Sequence, residues 1–192
     1  MRIFISGGCK NGKSYFAQKL AVALAEFESE YTVPLYYIAT MTPVDAEDHK
    51  RIDRHRRERD GWGFITVEQA ERIEGILQTC DTEGAFLVDS LTALLANEMF
   101  PPDGPFDNAA NDRVAAGLSK VLSSVGRLVI VSDFLYGDAA VYGLTTELFR
   151  KSLAQIDRIA AEVCDVVLEV TFSGIIVHKG REVFDGIYNE IA

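Results

Sequence analysis

An α/β fold, with a mostly parallel sheet covered by helices on both faces, is the class this sequence predicts, and three observations predict it. Short apolar runs of strand length alternate with stretches of helical spacing along the chain. Runs such as residues 3–5, 85–88 and 128–131 are continuously apolar, the pattern of strands buried on both faces. The first of them passes directly into a glycine-rich turn that opens a helix. A length of 192 residues suits one domain, 1–192, whose core needs neither disulfide nor metal.

Taken in order, residues 3–5 form a first buried strand, and residues 15–27 a helix with Phe16, Leu20, Ala23 and Leu24 at helical spacing. Residues 35–39 are a second strand. Residues 43–61 are highly charged, with Ile52 the only strong hydrophobe, and read as a solvated helix or an ordered active-site loop. Residues 66–77 carry helical spacing, 85–88 form a strand ending on Asp89, and 91–99 a helix behind it. Residues 100–111, with Pro101, Pro102, Gly104 and Pro105, are a loop, either a surface excursion or an oligomer contact. A helix over 114–125 leads to a strand over 128–131, a polar loop through Gly143 and a helix from about 145 to 164. A strand over 166–170 and a small β segment, 175–177 with a partner around Val183, close the chain. No repeat, low-complexity tract or linker interrupts it.

A formal net charge of -10 argues against a nucleic-acid partner, since phosphate backbones are held by excess Lys and Arg. The basic residues crowd one stretch, Lys50, Arg51, Arg54, Arg56, Arg57 and Arg59, which suits a small anion. Cys9, Cys80 and Cys164 have neither disulfide-frame nor zinc spacing, so reduced thiols and a cytoplasmic address are expected. The apolar run at the N-terminus is too short for a signal peptide, and no later run reaches membrane length.

Gly7, Gly8, Cys9, Lys10, Asn11, Gly12, Lys13 and Ser14 match G-x-x-x-x-G-K-[ST] at every fixed position, between a strand and a helix. This is the P-loop of a nucleoside-triphosphate-binding fold. Its backbone N–H groups point at phosphate oxygens of ATP or GTP, Lys13 bridges the β and γ phosphates, and the Ser14 hydroxyl binds Mg²⁺. Asp89, at the end of a buried strand, fits the carboxylate that positions the metal; the plainer alternative is that it merely caps the helix near Leu91, and Asp133 is its rival for the metal. On a helix, Arg51, His55 and Arg59 would share one face. Neutral imidazole among guanidinium groups can attack phosphorus to form a phosphoramidate, whereas a solvated charged helix with one exposed histidine is the plainer reading of the residues alone. His49 and His178 are read as structural or exposed, and Cys9 is not read as a nucleophile.

The P-loop opening, then Tyr37, Ile38, Ala39 and Thr40, then residues 45–47 with Arg51, Ile52 and His55, and Val88, Asp89, Ser90, Leu91 and Thr92 followed by Asn97, together resemble one family. It is the adenosylcobinamide kinase/adenosylcobinamide-phosphate guanylyltransferase family of cobalamin synthesis. The resemblance implies a RecA-like fold assembled as a homotrimer, acting on a cobinamide-type corrinoid. It further implies two reactions, phosphorylation of the aminopropanol hydroxyl and transfer of GMP from GTP through a guanylylated histidine to give adenosylcobinamide-GDP. By motif, His55 would carry GMP and Gly7 to Ser14 would cradle phosphates. Ala39, Thr40, Met41, Arg56, Arg57, Glu58 and Arg59 would add GTP contacts, with Glu68 and Asp89 completing the set.

The second half departs from that family. Where the family carries Ser-Asn-Glu and then a glycine-rich Ile-Val-Pro segment, this chain has Ser132, Asp133 and Phe134, then Leu135, Tyr136, Gly137 and Asp138. Phe149, Arg150 and Asp165 are kept, but Asp157 and Arg158 replace Asn-Gln, and one extra residue separates His55 from Glu68 around Gly61 and Gly63. These changes imply an altered corrinoid side or one weakened activity. Three readings stand: the bifunctional enzyme, a divergent P-loop kinase or NTPase with another acceptor, and a non-catalytic nucleotide-binding regulator.

Overall fold

In a computed structural model of the chain, the described residues are 1–26, 33–43, 50, 52–54, 56–57, 59–172 and 174–191, with the side chains of 190 and 191 excepted. His49, Arg51, His55, Glu58 and residues 45–47 therefore lie outside the described residues.

The strands are β1 (Arg2–Gly7), β2 (Leu35–Ala39), β3 (Ile65–Glu68), β4 (Ala85–Asp89), β5 (Arg127–Val131), β6 (Val166–Thr171) and β7 (Gly174–Lys179). They form one sheet in the order β3-β2-β4-β5-β1-β6-β7, parallel throughout except for the antiparallel β6–β7 pair. Helices α1 (Lys13–Glu26), α2 (Ile76–Thr79), α3 (Leu91–Met99), α4 (Ala110–Ser124), α5 (Leu144–Val163) and α6 (Arg181–Ile191) cover both faces. Strand β5 lies between β1, which leads into the glycine loop, and β4, which carries Asp89. This is a RecA-like order.

The strand alternation divides the core in two. Phe4, Phe86, Leu128 and Ile130 face α3, α4 and α5, while Ile3, Ile5, Leu87, Val129 and Val131 face α1 and α6. These strand positions are at most 3% exposed, and each fully buried Leu, Ile or Phe contributes about 1.5–3 kcal/mol. Parallel register brings Ala39 beside Asp89 and Asp89 beside Val131, so the carboxyl ends of β2, β4 and β5 align next to the end of β1. Ligands of open parallel sheets bind at that edge.

Two expected elements are corrected. Residues 65–68 are not helical: β-branched Ile65, Thr66 and Val67 extend the sheet by pairing with β2, and helix resumes only as a 3₁₀ turn, Ile73–Gly75, running into α2. The spacing of Val67, Ile73 and Ile76 imitated one helix because Ile73 and Ile76 both turn into the core. Val183 is not in a β segment but in α6, where Phe184 and Ile187 are buried at helical spacing and Val183 is exposed. The Phe184 and Tyr188 rings pack on Phe16 of α1. Helix α4 begins at Ala110, inside the expected loop, and the described residues 52–54 and 56–57 of the charged stretch are helical. Among the described residues no helix is long and apolar enough to cross a membrane.

Candidate active site

The glycine loop is fastened from three sides. A Cβ on Gly7 would run into the Val170 carbonyl of β6 and the Asn11 side chain, and Gly12 has φ +87°, so neither position accepts a larger residue without strain. Asn11 Nδ2 donates to the Val170 carbonyl, while Asn11 Oδ1 accepts from the Lys13 backbone N–H at 3.2 Å. After β5 the chain crosses beneath, and the Phe134 N–H donates to the Gly7 carbonyl at 2.9 Å. Gly8, Cys9 and Lys10 stand exposed at the tip.

Lys13 and Ser14, the first residues of α1, each meet a carboxylate from a strand end. Lys13 is 6% exposed; its Nζ donates to the Gly8 carbonyl at 3.0 Å and forms an ion pair with Asp133. The Asp133 backbone N–H in turn donates to Thr92 Oγ1 at 2.8 Å, which fixes the carboxylate from α3. Ser14 Oγ donates to Asp89 Oδ1 at 3.4 Å, and the Tyr37 hydroxyl donates to Asp89 Oδ2 at 2.8 Å.

Asp89 and Asp133 border a cavity of about 440 Å³. Ala39, Met41, Ser90 and Ala93 line its base, and Asp53, Arg56, Arg59, Thr66 and Glu68 its far wall. Arg59 is buried in that wall, its guanidinium 4.0 Å from the centroid of the Tyr37 ring and donating to Thr66 Oγ1 at 3.2 Å. Burial holds its pKa below the ordinary guanidinium value, with Tyr37 and Asp89 opposing. Its cation–π contact and hydrogen bond keep a charge inside the cavity that bulk water would otherwise claim. Arg56 is more exposed and pairs with Glu68 at 2.9 Å. Edge packing of Trp62 on Tyr15 joins this turn to the first turn of α1.

The expected site residues separate into three groups. Lys13, Ser14, Ala39, Met41, Arg56, Arg59, Glu68 and Asp89 converge on the cavity or its bordering carboxylates. Thr40 does not present its side chain there: it is fully buried, donating to the Ser90 carbonyl at 2.8 Å and accepting from the Ser90 N–H at 2.7 Å. Arg57 also turns away, its Nε donating to the Asp53 carbonyl at 3.2 Å, and Arg59 belongs to a turn and not to a helix. His55 and Glu58 lie outside the described residues. Tyr37 and Thr92 were missed as site residues because hydroxyls in apolar segments read as core; for Tyr37 the signal was the alternation that points it away from Tyr36 and Ile38.

Behind the cavity, Asp157 of α5 is 3% exposed and accepts from the Tyr136 hydroxyl at 3.0 Å. Burial pushes its carboxyl up to about 7, against the hydroxyls of Ser132 and Tyr136 and with the help of nearby Asp133. Arg150 spans the loop after β5, donating to the Leu135 carbonyl at 3.0 Å and pairing with Glu147 and Asp138.

The family model described as "CobU: Cobinamide kinase / cobinamide phosphate guanyltransferase" matches residues 3–178. A curated relative, the "Bifunctional adenosylcobalamin biosynthesis protein CobP" of Pseudomonas aeruginosa, is 27% identical over 174 residues, covering 90% of this chain and 92% of that protein. Among solved structures, a KaiC-like protein, PH0186, of Pyrococcus horikoshii is 12% identical with a TM-score of 0.48, covering 94% of this chain and 80% of the other. A second Pyrococcus horikoshii structure, of PH0250, is 14% identical with a TM-score of 0.42, covering 93% and 85% respectively.

Proposed function

We propose that this chain, which belongs to the cobinamide kinase / cobinamide phosphate guanyltransferase family, carries out both reactions in that description. It phosphorylates the aminopropanol hydroxyl of adenosylcobinamide from ATP or GTP, then transfers GMP from GTP to give adenosylcobinamide-GDP. The observation that carries the reading is the paired arrangement of Lys13 with Asp133 and Ser14 with Asp89, beside a cavity that holds Arg59.

In the kinase reaction Gly7, Gly8, Cys9, Lys10, Asn11 and Gly12 cradle phosphates with backbone N–H groups, and Lys13 leaves Asp133 for the β and γ oxygens. Ser14 Oγ and Asp89 Oδ1, 3.4 Å apart, are two hard oxygen donors that would hold Mg²⁺ beside the phosphates. When bound, the ion neutralises phosphate charge. Ala39, Thr40, Met41, Arg56, Arg57, Glu58, Arg59 and Glu68 make up the rest of the nucleotide contacts, Thr40 and Arg57 through backbone or by holding their neighbours.

In the nucleotidyl reaction a neutral His55 nitrogen attacks the α phosphorus of GTP, the P–N bond forms and pyrophosphate leaves. The phosphate of phosphorylated cobinamide then attacks that phosphorus and frees the imidazole, splitting one displacement into two. Arg56 and Arg59 lie near His55 in sequence and on the cavity wall, where their forks can neutralise the equatorial oxygens. The same reading takes the enzyme to be a single-domain, cytoplasmic homotrimer.

Intact-mass spectrometry after incubation with GTP and Mg²⁺ tests it, beside His55→Ala. A GMP-sized gain on the parent that is absent from the variant is expected; no gain on either would remove the guanylyltransferase role and leave a kinase or nucleotide-binding regulator.

A further inference from the structure

We propose that Asp133 is the proton acceptor of the phosphoryl-transfer step, masked by Lys13 in the empty site and released when Lys13 turns to the nucleotide. The proposal rests on the kinase reading above and assigns a residue that reading leaves with no role beyond holding Lys13.

Four observations converge on Asp133. It follows directly on the buried run of β5, the strand next to β1, and so lies beside the loop that would hold the transferable phosphate. Its carboxylate pairs with Nζ of the loop lysine. Its backbone N–H is tied to Thr92 Oγ1 of α3, which fixes its position independently of Lys13. It also borders the cavity, where an acceptor hydroxyl can approach. Asp89, the other carboxylate there, has Oδ1 engaged by Ser14 and Oδ2 by Tyr37, and stands on the side suited to the cation.

The electrostatics provide the timing. Lys13 cannot give its full charge to phosphate and to Asp133 together. As it swings to the β and γ oxygens, Asp133 loses its ion-pair partner, and its carboxylate oxygens are left facing the cavity where an acceptor hydroxyl can donate to them. The groups facing it are Lys13 from α1, Asp89 from β4 and Asp157 from α5, so Lys13 is the cation whose departure uncovers it. The acceptor oxygen then bonds to the γ phosphorus while the bond to the bridging oxygen breaks. The nucleoside diphosphate leaves with that electron pair, and the hydroxyl proton passes to an Asp133 oxygen.

The test compares the full-length parent, Asp133→Asn and Asp133→Glu for phosphoryl transfer from ATP·Mg²⁺ to adenosylcobinamide, with ATP binding measured by titration calorimetry. For the Asn variant kcat should fall by on the order of 10²–10³-fold, with ATP affinity equal to or tighter than the parent's because Lys13 no longer has a competing partner. The acidic limb of the parent's pH–rate profile should vanish in Asn and persist in Glu, whose kcat should lie between the two. Should the Asn variant not fold, the Glu variant decides alone, by a lowered kcat with the acidic limb kept. Full turnover in the Asn variant would overturn the proposal. So would loss of ATP binding together with turnover, which would reduce Asp133 to holding Lys13 in place. A parent that binds ATP yet never phosphorylates adenosylcobinamide would overturn the functional reading and this proposal with it; a turning-over parent beside an unaffected variant would overturn this proposal alone.

Discussion

A carboxyl at position 157 is enclosed by the loop after β5, with the Tyr136 hydroxyl as its polar partner at 3.0 Å. Its pKa of about 7 lies above the ordinary 3.8, so between those values the folded protein holds a proton that the unfolded chain has released. The sign follows: stability from this group is fully present below the unfolded pKa and is lost as pH rises through 7. An asparagine at this position would keep an acceptor for Tyr136 without the charge, and it is the residue type the resembling family carries there. Asp157→Asn should therefore be more stable than the parent at pH 8, by on the order of 2–4 kcal/mol, with the difference closing toward pH 4. Urea unfolding at both pH values measures it, and an equal difference at both would refute a neutral, buried acid. Lys13 and Asp89 were legible because their chemistry is local, one in a motif and one at a strand end. The partners that orient them, Tyr37 and Thr92, become visible only once segments 41 or more residues apart are brought together, whereas Asp133, expected from its strand end as a rival for the metal, pairs with Lys13.

Between the elements, Thr40 acts as a rivet. It joins the end of β2 to the peptide that caps α3, exchanging two hydrogen bonds with Ser90, whose own side chain accepts from the Ala93 N–H at 3.3 Å. Asn97 donates to the Thr40 carbonyl at 2.7 Å from farther along α3. Thr40→Val would keep the shape and strand the Ser90 N–H and carbonyl, costing about 1–3 kcal/mol, while Thr40→Ser should lose less than half of that. A denaturant titration of both variants distinguishes them; equal losses would mean that the methyl group and not the hydroxyl carries the effect. The strands flanking this rivet were readable from sequence because they are continuously apolar. β3 was not, because an edge strand with Ile65 half exposed has no such run, and its neighbours Ile73 and Ile76 fall at a spacing that also suits a helix. α6 was missed for the converse reason: after β7, Val183 invited a strand, and only packing of Phe184 and Ile187 against α1 reveals the helical period.

Over the whole molecule the net charge of -10 has the same sign as a nucleotide, so long-range steering does not draw the ligand in. Affinity must come from short-range contacts at the carboxyl edge of the sheet, where backbone N–H groups, Lys13 and Arg59 converge. These contacts exist only in the folded chain, because they unite residues from β1, α1, β4, β5 and the turn after residue 57. Binding to the folded state alone adds about 2.7 kcal/mol at a ligand concentration a hundred times Kd. For a chain of this length each kcal/mol moves the thermal midpoint by about 2–4 °C, so ATP·Mg²⁺ or GTP·Mg²⁺ at that concentration should raise it by about 5–10 °C. Lys13→Ala removes the cation at the β and γ oxygens and also strands Asp133, so its midpoint should start lower and gain little from either nucleotide. Scanning calorimetry with and without nucleotide separates the two effects: the starting midpoint reports the broken ion pair, and the increment reports the phosphate contact. An undiminished increment in the variant would place phosphate binding somewhere other than the glycine loop, and with it the chemistry assigned to that edge of the sheet.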